Sequence, residues 1–286
     1  MMWLRRVGAA PLRMDRRAFL GGAATVWLLP CRLARAQASG RLYRIGVLES
    51  IPASQNTANL EALRRGLREL GYVEGRNLII EYRSADGAAD RFPALAAELV
   101  RLPVDLIVTR GTPATTAAKA ASRTVPVLMA TMGDPHGIVA SFAHPGANVT
   151  GVTTFSTELT AKKVELLKEL VPRLSRVALL HNMGNPAAGA EWVETKEAAR
   201  SLGIDAQILD VRDERGLRRA LEGAPRQHVD ALIVGADGLT QMHRAMIVDR
   251  IAASRLPAAY PGGDFVAAGG LIAYSVNYPD LYYRFA

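Results

Sequence analysis

Polar side chains in this chain collect immediately after short apolar runs, and their types suit either acid–base work or the binding of a small charged molecule. Glu49, Ser50 and Ser54-Gln55-Asn56-Thr57 follow Ile45–Leu48. Thr109-Arg110-Gly111-Thr112-Pro113 follows Leu106–Val108, and Met132-Gly133-Asp134-Pro135 follows Val127–Ala130. Further on, His181-Asn182-Met183-Gly184-Asn185-Pro186, Gly235-Ala236-Asp237 and Tyr260-Pro261 stand in the same relation to later runs. Gly111-Thr112 opens a small-residue stretch that reads as a helix, whose free N–H groups and dipole favour an anion such as a carboxylate. Each residue also has a plainer use: Thr112 and Asn185 suit helix caps, Asp134-Pro135 suits a turn, and Tyr260 suits a core. The set as a whole points to a site, because polar clusters recur at the same kind of place in both halves.

The elements that must position these residues alternate in type. Apolar, β-rich runs lie at Ile45–Leu48, Leu78–Tyr82, Leu106–Val108, Val127–Ala130, Val177–Leu180, Ala206–Leu209, Leu232–Val234 and Ile272–Tyr274. Helical patterns lie between them: Leu60, Leu63, Leu67 and Leu70 share one face, and Phe92, Leu95, Leu99 and Leu102 repeat the spacing. Leu159–Leu170 and Ala190–Leu202 read as further helices. Apolar strands separated by helices predict parallel sheets covered on both faces. In such sheets ligands bind beyond the carboxyl ends of the strands, where the polar clusters fall.

The chain also repeats itself. Arg44-Ile45-Gly46-Val47-Leu48-Glu49-Ser50 is echoed by Arg176-Val177-Ala178-Leu179-Leu180-His181-Asn182. Leu70-Gly71 is echoed by Leu202-Gly203, Asp105-Leu106-Ile107-Val108 by Asp230-Ala231-Leu232-Ile233-Val234, and Val125-Pro126 by Leu256-Pro257. The offsets are 132, 132, 125 and 131 residues. This is the length of a small domain rather than of a solenoid unit. The fold class expected is α/β, with two doubly wound parallel-sheet lobes, a hinge and an interlobe cleft. The first lobe is expected over 41–152, with 272–286 returning to it, and the second over 153–271.

Residues 1–36 read as an export signal. They carry seven arginines and one acid, then an apolar run from Ala18 to Pro30 and the cleavage pattern Ala34-Arg35-Ala36. That run is 13 residues, short of the ~20 a membrane-crossing helix needs. Arg16-Arg17-Ala18-Phe19-Leu20 resembles a twin-arginine motif, and Met14 just upstream is an alternative start. Cys31 is a candidate for lipid attachment, although Pro30 stands where a small residue belongs. The leader holds six of the chain's eight net positive charges, so the basic pI gives no reason to expect nucleic acid as a partner. With the only cysteine in the leader, the remainder has no disulfide and depends on its core. A periplasmic, monomeric protein is expected.

Catalytic signatures are missing. There is no phosphate-loop or dinucleotide fingerprint and no G-x-S-x-G elbow, and the five histidines lack metal-ligand spacing. No cofactor, metal or enzymatic activity is expected.

Val125-Pro126-Val127 through Gly133-Asp134-Pro135, Val139-Ala140-Ser141 and Pro145-Gly146-Ala147-Asn148-Val149-Thr150-Gly151-Val152 resembles the substrate-binding proteins of ABC transporters with the type 1 periplasmic-binding fold. The tryptophan-binding-like branch is the nearest in pattern. Glu69-Leu70-Gly71-Tyr72, Glu74-Gly75-Arg76-Asn77-Leu78 and Gly111-Thr112-Pro113-Ala114 belong to the same resemblance, which runs from about residue 43 to the end. It implies a non-catalytic receptor that closes two lobes on a small solute and delivers it to a membrane permease. It also implies a ligand-binding set of Ser50, Gln55, Arg110, Gly111, Thr112, Asp134, Asn182, Asn185, Asp237 and Tyr260. Asp134 or Asp237 would hold the ammonium of an amino-acid-like ligand, and the amides around Gly111-Thr112 its carboxylate.

Two features depart from the pattern. Arg110 and His136 stand where small residues are usual, and an inward Arg110 would favour a more acidic ligand. The chain also stops at Ala286, inside a helix beginning near Pro279, where such receptors usually continue. An enzyme on the same scaffold and a ligand-sensing module of a membrane receptor are the alternative functions.

Overall fold

Neighbouring residues of one strand feed different cores in this molecule, which is why its strands are apolar throughout. The structure, a computed structural model, describes residues 41–133, 137–141, 143–154 and 156–286. The leader with Met14, Arg16-Arg17 and Cys31, together with Asp134 and His136, lies outside the described residues.

The first lobe is a sheet of β1 (Tyr43–Glu49), β2 (Leu78–Ser84), β3 (Leu106–Arg110), β4 (Val127–Thr131) and β5 (Val149–Gly151). Its helices are α1 (Thr57–Glu69), α2 (Phe92–Arg101) and α3 (Thr112–Ala121). After α4 (Ser156–Leu170) comes the second sheet: β6 (Arg176–His181), β7 (Asp205–Asp210), β8 (Ala231–Val234), β9 (Ala258–Tyr260) and β10 (Ile272–Ala273). Between these strands lie α5 (Ala188–Ser201), α6 (Glu214–Gly223), α7 (Gly238–Met242), α8 (Arg244–Ser254) and α9 (Gly263–Ala267), and α10 (Tyr278–Arg284) closes the chain. Every strand pairing is parallel.

The strand orders are β2-β1-β3-β4-β5 and β10-β9-β8-β6-β7. Read from β7, the second order matches the first strand for strand, so the sequence echo is a topological repeat. Successive side chains of a strand point to opposite faces. Val47 therefore packs with Leu63 and Leu67 of α1, while Leu48 packs with Phe92 and Leu99 of α2. Leu179 and Leu180 divide between two cores of the second lobe in the same way. Each fully buried aliphatic side chain contributes about 2 kcal/mol, and both faces of both sheets are lined with them.

One strand is added to the sequence expectation and one changes lobe. Val149–Gly151, inside the expected first-lobe span but not among the expected strands, is the fifth strand of the first sheet, paired with β4. Ile272–Ala273, expected to return to the first lobe, pairs with β9 instead, because it is the repeat's counterpart of β5. Both crossings follow these edge strands. After β5 the chain enters α4, which packs on α5, β8 and β9; after β10 it enters α10, which packs on α1 and β4. Each lobe thus receives one helix from the far side of the hinge.

Candidate functional site

The carboxyl ends of the two sheets face each other across a cleft that holds a cavity of about 80 Å³. The lobes touch around it. Arg244 Nη1 of the second lobe donates to Gln55 Oε1 of the first at 2.8 Å, and Gly238 lies against Ser50 so closely that a Cβ would stand 3.0 Å from the serine Cβ.

On the first-lobe side the site is built by the turn from β3 into α3. The β3–β4 register shifts between Thr109 and Arg110, an irregularity of the kind that re-aims a side chain, and Arg110 turns toward the cavity. Gly111 follows with φ 83°, a left-handed conformation that glycine adopts without cost. It starts α3 with the Thr112 side chain at the cavity. First-turn N–H groups have no intrahelical partner. Thr112 itself is buried and its Oγ1 has no hydrogen-bond partner among the described residues, so it is not a cap there.

Arg110 does face inward, but its charge is already met. Glu49, at the end of β1, is 1% exposed and stands 4.0 Å from Arg110 Nη1. The Tyr278 ring lies 4.9 Å from the guanidinium carbon. Asn56 Nδ2 donates to Glu49 Oε1 at 3.0 Å, and the Tyr282 hydroxyl of α10 donates to the same oxygen. Burial raises the Glu49 carboxyl above the ordinary range, although Arg110 and these hydrogen bonds pull the other way. With a counter-charge behind it, Arg110 does not by itself turn the cavity into a site for an acidic ligand.

On the second-lobe side the loop after β6 forms two local turns. Asn182 Oδ1 accepts from Gly184 N at 2.9 Å and Asn185 Oδ1 from Ala187 N at 3.0 Å. Their amides reach Asp237: Asn185 Nδ2 donates to Oδ2 at 2.9 Å and Asn182 Nδ2 to Oδ1 at 3.4 Å. Asp237 also caps α7, accepting from Leu239 N at 2.9 Å. A carboxylate so held presents a fixed negative charge to the cavity.

Behind this wall lies a buried charged cluster that the sequence reading did not single out. His181 Nδ1 lies 3.2 Å from the Asn182 carbonyl oxygen, which can only accept, so that nitrogen carries a proton. Its Nε2 stands 3.5 Å from Glu191 Oε2, an ion pair whenever the ring takes a second proton. Burial alone would lower the His181 pKa, but Glu191, Asp237 and the Asn182 carbonyl outweigh it and hold it above the usual histidine value. Lys163 is buried beside the same cluster, and its pKa is pushed down by burial, opposed by Glu191.

Of the sequence candidates, Ser50, Arg110, Gly111, Thr112, Asn185 and Asp237 line the cavity. Asn182 stands behind Asp237, and Gln55 bridges the lobes. Tyr260 is a correction: its ring is 2% exposed, stacked on Phe265 at 5.4 Å in the second-lobe core, with its hydroxyl pKa pushed up to about 12 by burial. The last residue of the short β9 points its side chain into the sheet's core face rather than the cleft. Asp134 lies outside the described residues.

Sequence reasoning missed Glu191 and Tyr278, both at the cavity. A cue existed for each. Ala188, Glu191, Thr195 and Ala199 form one buried helical stripe, and an acid on such a stripe needs a reason. Tyr278 and Tyr282 are four apart, on one face of α10.

Among the described residues no group of three or more His, Cys, Asp or Glu is placed to hold a metal, and no helix is long and apolar enough to cross a membrane. A family model described as ABC transporter substrate binding protein matches residues 44–286. The tyrosine-binding protein of Clostridioides difficile is 24% identical over 223 residues, 77% of this chain. The chain spans 64% of that relative's length. An ABC domain from Streptococcus pneumonia, solved with L-Trp, aligns with TM-score 0.76 and 25% identity over 85% of this chain and 81% of that one. A conserved domain protein from Vibrio cholerae aligns with TM-score 0.79 and 22% identity, covering 85% and 82%.

Proposed function

This chain belongs to the family of ABC transporter substrate-binding proteins, and we propose that it captures a small amino-acid-like solute by closing its two lobes. In this reading it is an exported, periplasmic, monomeric receptor without catalytic activity, and it delivers the solute to the permease of an ABC importer. The observation that carries the reading is the opposed polarity of the cavity. The Thr112 hydroxyl and the α3 N-terminus, beside the Glu49-paired Arg110, form one wall, and Asp237 the other. A zwitterion fits that arrangement, with its carboxylate toward the first lobe and its ammonium toward Asp237. The cavity has room for roughly half a dozen waters, which suits a ligand of amino-acid size. A tyrosine-binding relative and a tryptophan-bound structural neighbour support the ligand class.

Thermal-shift measurements on the chain without residues 1–36 test this against L-tyrosine, L-tryptophan, L-leucine, sugars and organic acids. A ligand at 100 times its Kd adds about 2.7 kcal/mol of stability. Asp237→Asn should abolish the response to amino acids. A folded protein that responds to none of them, or an Asp237→Asn variant that responds normally, would overturn the reading.

A further inference from the structure

The chain's last helix reaches back across the hinge and places a tyrosine in the cavity. Its two inward tyrosines have separate tasks. Tyr282 is fully buried and donates its hydroxyl to Glu49 at the cleft end of β1, 233 residues away in sequence. Phe285 packs edge-on against it at 6.3 Å. One turn earlier, Tyr278 lines the cavity. Its ring lies between the Arg110 guanidinium of the first lobe and Gly262 of the second, where a Cβ would stand 3.8 Å from ring Cε2. The outer side of α10 is seated as closely. Tyr283 donates to Glu69 at 2.6 Å, and Gly66 of α1 lets the helix approach so near that a Cβ would come 2.6 Å from the Tyr283 carbonyl oxygen.

We propose that Tyr278 is a specificity-determining wall of the ligand cavity, and that the Glu49–Tyr282 pair is the seat that holds α10, and with it that wall, in place. The inference rests on the receptor reading above. The side chain reaching the cavity is fixed by how a helix docks, so the ring limits ligand size from a position set before the ligand arrives. The seat also joins the two roles of Glu49, which anchors α10 through Tyr282 and faces the Arg110 charge beneath Tyr278.

The test compares wild type, Tyr278→Ala and Tyr282→Phe by isothermal titration with L-tryptophan and L-leucine, and by hydrogen exchange of the segment 278–286. Tyr278→Ala should raise the affinity ratio of tryptophan to leucine at least fivefold while the ligand-free melting temperature stays within a few degrees. Tyr282→Phe should speed exchange across 278–286 in the free protein and weaken both ligands at least threefold, and saturating tryptophan should restore part of the protection. A ratio unchanged within twofold, or moved toward leucine, overturns the wall. Unchanged exchange across 278–286 in Tyr282→Phe overturns the seat. If wild type responds to no ligand of the thermal-shift screen, the receptor reading fails first and this inference with it; if wild type binds an amino acid and the variants match it, only this inference fails.

Discussion

Glu49 and His181 occupy the same place in the two halves of the repeat, 132 residues apart, and the lobes neutralise them differently. Both are buried titratable groups at the cleft end of the lobe's first strand, β1 or β6. In the second lobe the counter-charge is local: Glu191 comes from α5, the next helix along, and stands 3.5 Å from His181 Nε2. In the first lobe the partners are remote: Arg110 from two strands on, and Tyr282 from the far end of the chain. The second lobe's wall is therefore complete within its own sequence, whereas the first lobe's wall depends on a helix supplied from beyond the second lobe. One lobe resembles a preformed half-site and the other a half-site assembled across the hinge.

The largest expected effect breaks the local pair. Glu191→Leu leaves His181 and Lys163 buried without their counter-charge and should cost about 3–5 kcal/mol in urea unfolding. A loss below about 1 kcal/mol would mean that the second lobe does not rely on this pair. Next come the glycines that let each group sit where it does. Gly235→Ala would place a Cβ 2.1 Å from the His181 ring and should cost about 1–3 kcal/mol through overpacking. Gly66→Ala would press on α10 at 2.6 Å, but it gains about 1 kcal/mol of helix propensity. Its net loss in a melting experiment should be smaller, with the damage showing instead as weaker ligand binding. Equal losses in stability and no change in binding would erase the contrast between the lobes.

That contrast also explains what could be read from the sequence. Strands such as Val47-Leu48 and Leu179-Leu180 were legible because burial on both faces makes every residue apolar, and the repeat made the second lobe legible from the first. Ser50, Arg110, Thr112, Asn185 and Asp237 were legible as candidates because a parallel sheet puts its site at strand ends. Tyr260 satisfied the same rule, yet alternation along β9 sends its ring into the core. Glu191 and Tyr278 were missed because the strand-end rule says nothing about helices, and the Glu49–Tyr282 contact spans most of the chain, beyond any local pattern. The edge strand Val149–Gly151 was missed because three residues carry too little alternation to stand out from a glycine-rich loop.

A smaller effect separates the two groups by pH. His181 has a folded-state pKa above its ordinary value, so the stability from its protonated form is full below about pH 6.5. It fades as pH rises through the folded value. Glu49 is a carboxyl whose folded pKa is also raised. Its protonated form is favoured by the fold, so its contribution declines as pH climbs from about 4.3 toward its folded value. Urea unfolding across pH 4–9 should show two falling contributions, with His181→Gln removing the one that sets in near about pH 6.5 and Glu49→Gln the one that sets in near about pH 4.3. A single step that survives both substitutions would break the correspondence between the two strand ends.

The smallest expected change is the one with opposite signs. Thr112 Oγ1 is buried in the first lobe without a partner among the described residues, whereas the Asn185 amide in the second lobe is engaged by Asp237. Thr112→Val keeps the shape and removes a hydroxyl whose desolvation nothing offsets. The free protein should be as stable as wild type, or more so by up to about 1 kcal/mol. Binding should weaken about fivefold to tenfold if the ligand supplies the missing hydrogen bond. Asn185→Ala, which removes a hydrogen bond the fold already makes, should lower the stability of the free protein. Melting curves of both variants with and without L-tyrosine separate the cases. A Thr112→Val variant that loses stability would show that this hydroxyl already serves the fold, and the first lobe would then be as complete without ligand as the second.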